Sequence, residues 1–380
     1  MVFLNANENI HPMLKKYPFY IKSTVVLLGL TLFVYAMFSL KEILIPIAFS
    51  LMLAILLNPL CNWFVKKRIP RVLSIILSLL TAIFFVGGIA YFLSSQVAGF
   101  SDELPLLKKK IIELFGQLQT TIDQRLNINL QKQNEWIGSA GTSMQPFIGQ
   151  TLGTVMSSLA LIILLPVYTF LFLFYKTLIL NFFYEVFAEK NSKEVGEILS
   201  ETKKSIQSYV VGLLLEALIV AILNTIALLV LGVKYAILLG VLGAILNVLP
   251  YVGGAIALAL PVLIATITKE GFHTQLLIII AYLIIQFIDN QFLIPYIVSS
   301  KVKINALISI IMILLAGAVW GVPGMFLSIP FTGVLKIIFD KIPDLKPWGK
   351  LLGDEIPTRH KGEIWGLRRN KKSLSEKLVE

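Results

Sequence analysis

One cysteine, three histidines and a charged fraction of only 14% leave this chain of 380 residues short of most side chains that do chemistry. Cys61 alone can close no internal disulfide and build no thiolate metal site. His11, His273 and His360 stand far apart in sequence, so neither a metal nor another cofactor is expected. There is no Gly-x-x-x-x-Gly-Lys-Ser/Thr loop to cradle nucleoside phosphates, which argues against nucleotide hydrolysis. Nor is there a Ser/His/Asp set or a His-Glu-x-x-His pair at usable spacing, which argues against a membrane protease or hydrolase. The chain is not expected to be an enzyme.

What is abundant is apolar surface. Hydrophobic residues make up 57% of the chain and the mean hydropathy is +0.82, whereas soluble domains carry about 25% charged residues. The expectation is an all-α polytopic helix bundle solvated by lipid. The net charge of +11 is then a matter of membrane topology, and no nucleic-acid partner is called for. The first 20 residues are polar, and the apolar run at 25–40 lacks a small-residue cleavage site, so that run is expected to be the first span and not a cleaved signal.

Apolar runs at 25–40, 43–65, 72–93, 152–175, 209–231, 235–268, 276–298 and 306–335 predict about eight transmembrane helices. If each run crosses once and both termini are cytoplasmic, 24 of the 33 Lys and Arg residues fall inside. That bias supports an even number of crossings with both ends inside. The chain divides on this basis into a three-span unit at 1–93, an extracytoplasmic amphipathic segment at 94–150, a fourth span with a cytoplasmic amphipathic helix at 151–208, a core at 209–338 and a basic tail at 339–380.

Outside the membrane, Leu104, Leu107, Ile111, Leu114, Leu118 and Ile122 recur at helical steps, as a helix lying on the spans, a cap or a contact in a homo-oligomer would. In the tail, Arg368, Arg369, Lys371 and Lys372 form a cluster suited to anionic lipid.

The run at 235–268 has 34 residues without a charge, which exceeds the roughly 20 needed for one span. Asn247-Val-Leu-Pro-Tyr-Val-Gly-Gly254 interrupts it, with Pro250, Tyr251, Gly253 and Gly254 at the break. Irregular backbone at membrane depth is tolerated where protein or a watery cavity satisfies it. A second interruption, Gly321-Val-Pro-Gly324 with Pro323 inside it, sits in a matching place. Spans five and six and spans seven and eight therefore read as two hairpins pointing the same way, each with a broken or re-entrant second arm. Paired interruptions of this kind point to a transporter binding site, although transmembrane helices favour Gly and Pro in any case.

Two acids lie inside apolar runs, Glu216 and Asp289. An intramembrane carboxylate costs about 2.5–3.5 kcal/mol at a helix centre on insertion scales, so each should face a cavity or a partner. A hydrogen-bonded structural acid is the plainer reading of both; ion or proton coupling is the functional one. Asp289 is favoured because Gln286 and Asn290 accompany it, and Pro295 is expected to end or kink that helix, freeing the carbonyl of Gln291.

The stretch from Gly240 to Gly254, then Asp289-Asn290 with Pro295, and Gly-Ala-Val-Trp-Gly-Val-Pro-Gly-Met-Phe-Leu-Ser-Ile-Pro from Gly317 to Pro330 together resemble the autoinducer-2 exporter family of bacterial permeases. Leu164-Leu-Pro-Val-Tyr168 and Asn58-Pro59 fit as well. The resemblance implies a multi-pass protein that exports a small hydrophilic signal, with some relatives resembling sodium/proton antiporters. In many members a Glu occupies the place of Asp289, and a His-Pro pair follows the outer turn, which here reads Lys303-Ile304-Asn305. The expected partners are a small hydrophilic solute, a proton or sodium ion, and the bilayer. A passive channel and a non-transporting scaffold are the rival readings.

Overall fold

A computed structural model describes residues 18–101, 116, 163–247, 253–269, 271–298 and 304–354. The amphipathic stripe at 104–122, Pro250, Tyr251 and the basic cluster at 368–372 lie outside the described residues. Within them the protein is an all-α polytopic bundle.

Helices α1 (Phe19–Ser39), α2 (Lys41–Lys66) and α3 (Arg71–Ser101) are apolar on every side, and this makes them lipid-facing. Val25, Val26, Leu27 and Leu28 on α1 are each more than half exposed, a cost that only a lipid solvent removes. Next come α4 (Ile163–Phe174) and α5 (Lys176–Phe187), bent by 61° at Tyr175. Arg71 caps that bend by donating to the carbonyls of Leu173 and Phe174, both at 3.0 Å.

Helical backbone continues from Lys176 to Val230, but it is not one rod. The Tyr184 hydroxyl lies 3.0 Å from where a Cβ on Gly196 would be, although twelve residues of straight helix would separate them by about 18 Å. The chain folds back, and the run divides into α5 and α6 (Lys193–Val230).

The long apolar run at 235–268 becomes two helices, α7 (Ala236–Asn247) and α8 (Gly253–Thr268). Their 12 and 16 residues make about 18 and 24 Å, each short of a hydrocarbon core of about 30 Å. They run antiparallel. Near the tip a Cβ on Gly253 would collide with the Leu246 carbonyl; further down, one on Gly243 would touch Ala257 at 3.4 Å; at the mouth, one on Gly232 would lie 3.3 Å from Lys269 Nζ. Leu228, Ala236, Leu239, Ala257, Ile264, Ala265, Ile278 and Tyr282 fill the core between this hairpin and its neighbours.

Helix α9 (His273–Ile288) runs on as a π-helix from Asp289 to Val298. Pro295 therefore does not end the helix. In an i→i−5 ladder its missing N–H frees the Asn290 carbonyl and not that of Gln291.

A second antiparallel pair follows, α10 (Ala306–Trp320) and α11 (Val322–Lys341), turned at Gly321 with φ of +65°. Gly324 packs so closely on the Ala316 carbonyl that no larger residue fits. At the base, Asn305 Oδ1 caps α10 by accepting from Ile308 N at 2.9 Å, while its Nδ2 donates to the carbonyls of Leu351 and Gly353 at 2.7 and 3.0 Å. These carbonyls close α12 (Lys346–Leu352), which follows α11.

The mouth of the α7–α8 hairpin lies at the Val230 end of α6, whereas Lys341, at the mouth of the other hairpin, bonds Glu197 Oε2 at 2.8 Å and Glu201 Oε1 at 3.1 Å. Val230 and Glu197 are 33 residues apart on α6, or about 50 Å. The α7–α8 and α10–α11 hairpins thus open at opposite ends of the bundle, whereas the expected hairpins paired span five with six and span seven with eight.

The count of eight spans is corrected. Among the described residues, five helices are long and apolar enough to cross a membrane, or six when α4 and α5 count as one bent span. The broken run was counted as a crossing because its length exceeds one span, but its two halves return to the same end.

Candidate functional site

The hairpin tip and the α-to-π junction meet in the middle of the bundle. Asp289 is 1% exposed, and its Oδ2 accepts from Asn247 Nδ2 at 2.8 Å, with Gln286 Nε2 at 3.5 Å. Gln286 stands one turn before Asp289 on α9, so the helix itself aims both at the same place. Asn247 is the last residue of α7.

The other carboxylate oxygen, Asp289 Oδ1, is buried with no hydrogen-bond partner, and so are Asn224 Oδ1 and the Tyr282 hydroxyl. All three residues line one small cavity with Gly243, Asn247 and Gln286, and apolar walls from Val220, Ala257 and Ile285. Buried polar atoms without partners are few in folded proteins, since each costs about 1–3 kcal/mol. Three around one small cavity give it a polar lining.

Close packing shapes the walls. A Cβ on Gly243 would approach Asn224 Nδ2 at 3.4 Å and the Tyr282 hydroxyl at 3.7 Å, and one on Gly254 would meet Gln286 Oε1 at 2.7 Å. Glycine at these positions keeps room beside the amides. Glu216 is also buried, on the same helix as Asn224, and lies within electrostatic reach of Asp289 without lining the cavity.

The structure thus gathers Asp289, Asn247, Gln286 and Gly254, with Glu216 nearby. It does not gather Asn290, which is exposed, or Gly321, Pro323 and Gly324, which form the turn of the α10–α11 hairpin and line no part of this cavity. Gly253 serves the α7–α8 tip, and Pro295 lies in the π segment. Tyr282 escaped the sequence reading, yet it lies seven residues before Asp289 and four before Gln286, on one helix face. Asn224 is a polar interruption of the fifth apolar run, and nothing along that run ties it to Asp289.

Residues 24–344 match the family described as AI-2E family transporter. The chain belongs to that family. Among its relatives, the AI-2 transport protein TqsA of Escherichia coli (strain K12) is 25% identical over 319 residues, covering 82% of this chain and 90% of its own length. YrrI of Bacillus subtilis (strain 168) is 27% identical over 318 residues, covering 78% and 86%. YhhT of Escherichia coli (strain K12) is 22% identical over 326 residues, covering 86% and 91%. An AI-2E transporter is a multi-pass protein of the bacterial inner membrane that moves small solutes and is not an enzyme, and this chain is one.

Proposed function

We propose that this AI-2E transporter exports a small hydrophilic solute, of the size and polarity of a signalling molecule, and couples its movement to a proton or sodium gradient through Asp289. The observation that supports this reading most is the cavity in which Asp289 Oδ1, Asn224 Oδ1 and the Tyr282 hydroxyl stand without partners. A relative named for AI-2 transport supports the solute class.

In this mechanism Asp289 alternates between a neutral and a charged carboxyl. The two forms differ in hydration cost, and the difference biases the hairpin tip, to which Asn247 ties it, between two exposures. Glu216 serves as the second acid. Asn247, Gln286 and Gly254 line the pathway, and Asn290 and Gly253 are hinge positions; Pro295, Gly321, Pro323 and Gly324 let its helices bend.

We also place both termini in the cytoplasm. Because the α7–α8 hairpin returns to its starting side, Lys269 joins Lys234 outside, while Lys301 and Lys303 join the tail; the inside count of Lys and Arg rises from 24 to 25 of 33. The positive-inside bias supports that orientation.

The test is flux in proteoliposomes over a panel of small hydrophilic metabolites and cations, with and without imposed pH and sodium gradients. Wild type should show gradient-driven flux that Asp289→Asn abolishes. Coupled flux unchanged in Asp289→Asn would end the coupling role. A current in planar bilayers that flows without coupling to any gradient would instead assign a channel.

A further inference from the structure

Away from the Asp289 cavity, the bend between α4 and α5 gathers positive charge. Arg71 reaches the bend through its bonds to Leu173 and Phe174, and Lys176, the first residue of α5, donates to Asn58 Oδ1 at 3.0 Å. Lys203 on α6 is close enough to repel the Lys176 ammonium, as the fold-back of α5 on α6 requires. Among the described residues, no carboxylate pairs with Arg71, Lys176 or Lys203. Three cations held together without an acid need an anion from elsewhere.

A second, independent observation comes from Asn58. It is only 5% exposed, and its Nδ2 is buried without a partner although its Oδ1 holds Lys176. An unpartnered N–H group asks for an acceptor. The first turn of α5 adds its own free N–H groups, since Tyr175 provides no side-chain cap. Everything offered here is a donor.

The surroundings say which anion. Val72 and Leu73 beside Arg71, and Phe174 and Tyr175 beside Lys176, are large apolar side chains between 38% and 48% exposed. Helices α2 and α4 end here and α3 begins, which sets the depth at the polar boundary of the bilayer. Trp63, with Lys67 over its ring at 5.6 Å, is an interfacial anchor at the same level. A free inorganic ion would use the cations and leave the apolar rim unused. A lipid uses both, and basic pockets between helices at this depth suit anionic headgroups.

We propose that Arg71, Lys176, Lys203 and Asn58 form a binding site for the phosphate of an anionic phospholipid, whose acyl chains lie along Val72, Leu73, Phe174 and Tyr175. It draws on nothing at Asp289 and stands whether or not transport is coupled.

The test is native mass spectrometry of the purified full chain in detergent, titrated with phosphatidylglycerol, with phosphatidylcholine of the same chains, and with inorganic phosphate. Phosphatidylglycerol should be retained at least fivefold better than phosphatidylcholine. Lys176→Gln should cut that retention about tenfold, the loss of one charge-assisted hydrogen bond, while Lys176→Arg keeps it. Lys203 is exposed, so Lys203→Gln leaves the fold intact and should still cut retention about threefold through its charge alone. Equal retention of both lipids, or wild-type retention in Lys203→Gln and Lys176→Gln, overturns the site. Displacement of the lipid by millimolar inorganic phosphate, with phosphate itself retained, overturns the headgroup assignment.

Discussion

Asn247 Nδ2 donates to Asp289 Oδ2 at 2.8 Å, a bond that joins two residues 42 apart in sequence and links the end of α7 to the start of the π segment. It fixes an acid in the middle of the bundle to the tip of a hairpin. Whatever changes the charge of Asp289 therefore changes the strength of a bond that the hairpin depends on, because hydrogen bonds to charged groups are about twice as strong as neutral ones.

Replacing Asn247 by Ala leaves Asp289 with the weaker Gln286 contact at 3.5 Å. Losing the donor to a buried carboxylate should cost about 1–3 kcal/mol. The melting temperature of the purified protein should fall and gradient-driven flux should drop, whereas Asn247→Gln, which keeps an amide, should restore part of both. A variant that melts and transports as wild type does would show that the bond is incidental.

Gly240 tests the close approach of α6 and α7. A Cβ there would collide with Thr225 Oγ1 and lie 2.7 Å from the Thr225 backbone nitrogen, so Gly240→Ala must push the two helices apart. Overpacking of that kind costs about 1–3 kcal/mol. Gly29, on lipid-facing α1, has nothing within 4 Å of such a Cβ, and Gly29→Ala should leave melting unchanged or raise it slightly. Equal melting of the two variants would contradict the packing.

Cys61 is buried at 6% exposure among Ala54, Leu57, Ile75 and Leu173, where α2, α3 and α4 meet. A thiol shielded in this way reacts slowly. As the chain's one cysteine, it makes a built-in reporter: a thiol-reactive fluorophore should label it only as the bundle opens on heating. Labelling at low temperature as fast as after denaturation would mean that those three helices do not pack as described.

Much of this was legible in the residues themselves. Apolar runs gave the helical class, and the isolated acid with Gln286 beside it gave the centre of the cavity. Asn224 and Tyr282 were harder, because one belongs to another helix and the other resembles an interfacial aromatic. The turning back of α7 on α8 was hidden for a different reason. Hydropathy registers length and polarity along the chain, while the direction of a helix after a break is decided by contacts such as Gly243 with Ala257, far apart in sequence. The fold-back at Gly196 was concealed in the same way.

Asn305 clamps the base of the second hairpin through bonds to Ile308, Leu351 and Gly353. Asn305→Asp keeps the cap acceptor for Ile308 N but loses both donor bonds and sets a carboxylate against two carbonyls. Asn305→Ala loses all three. Removal of the cap alone costs about 1 kcal/mol. Hydrogen exchange at 349–353 should accelerate in both variants, while exchange at Ile308 should accelerate in Asn305→Ala only.

The decisive prediction concerns which side Lys269 is on. Treating 235–268 as a single crossing puts Lys269 on the side of the tail, whereas the antiparallel hairpin puts it beside Gly232, on the side of Lys234. In a Cys61→Ser background, Lys234→Cys and Lys269→Cys should react with a membrane-impermeant maleimide from the same face of intact cells, and Lys350→Cys only after the cells are opened. Lys303→Cys should behave like Lys350→Cys, since α9 and its π extension carry the chain across. Should Lys269→Cys label with Lys350→Cys instead, the hairpin is a single bent span, and the α7–α8 and α10–α11 hairpins no longer open at opposite ends of the bundle.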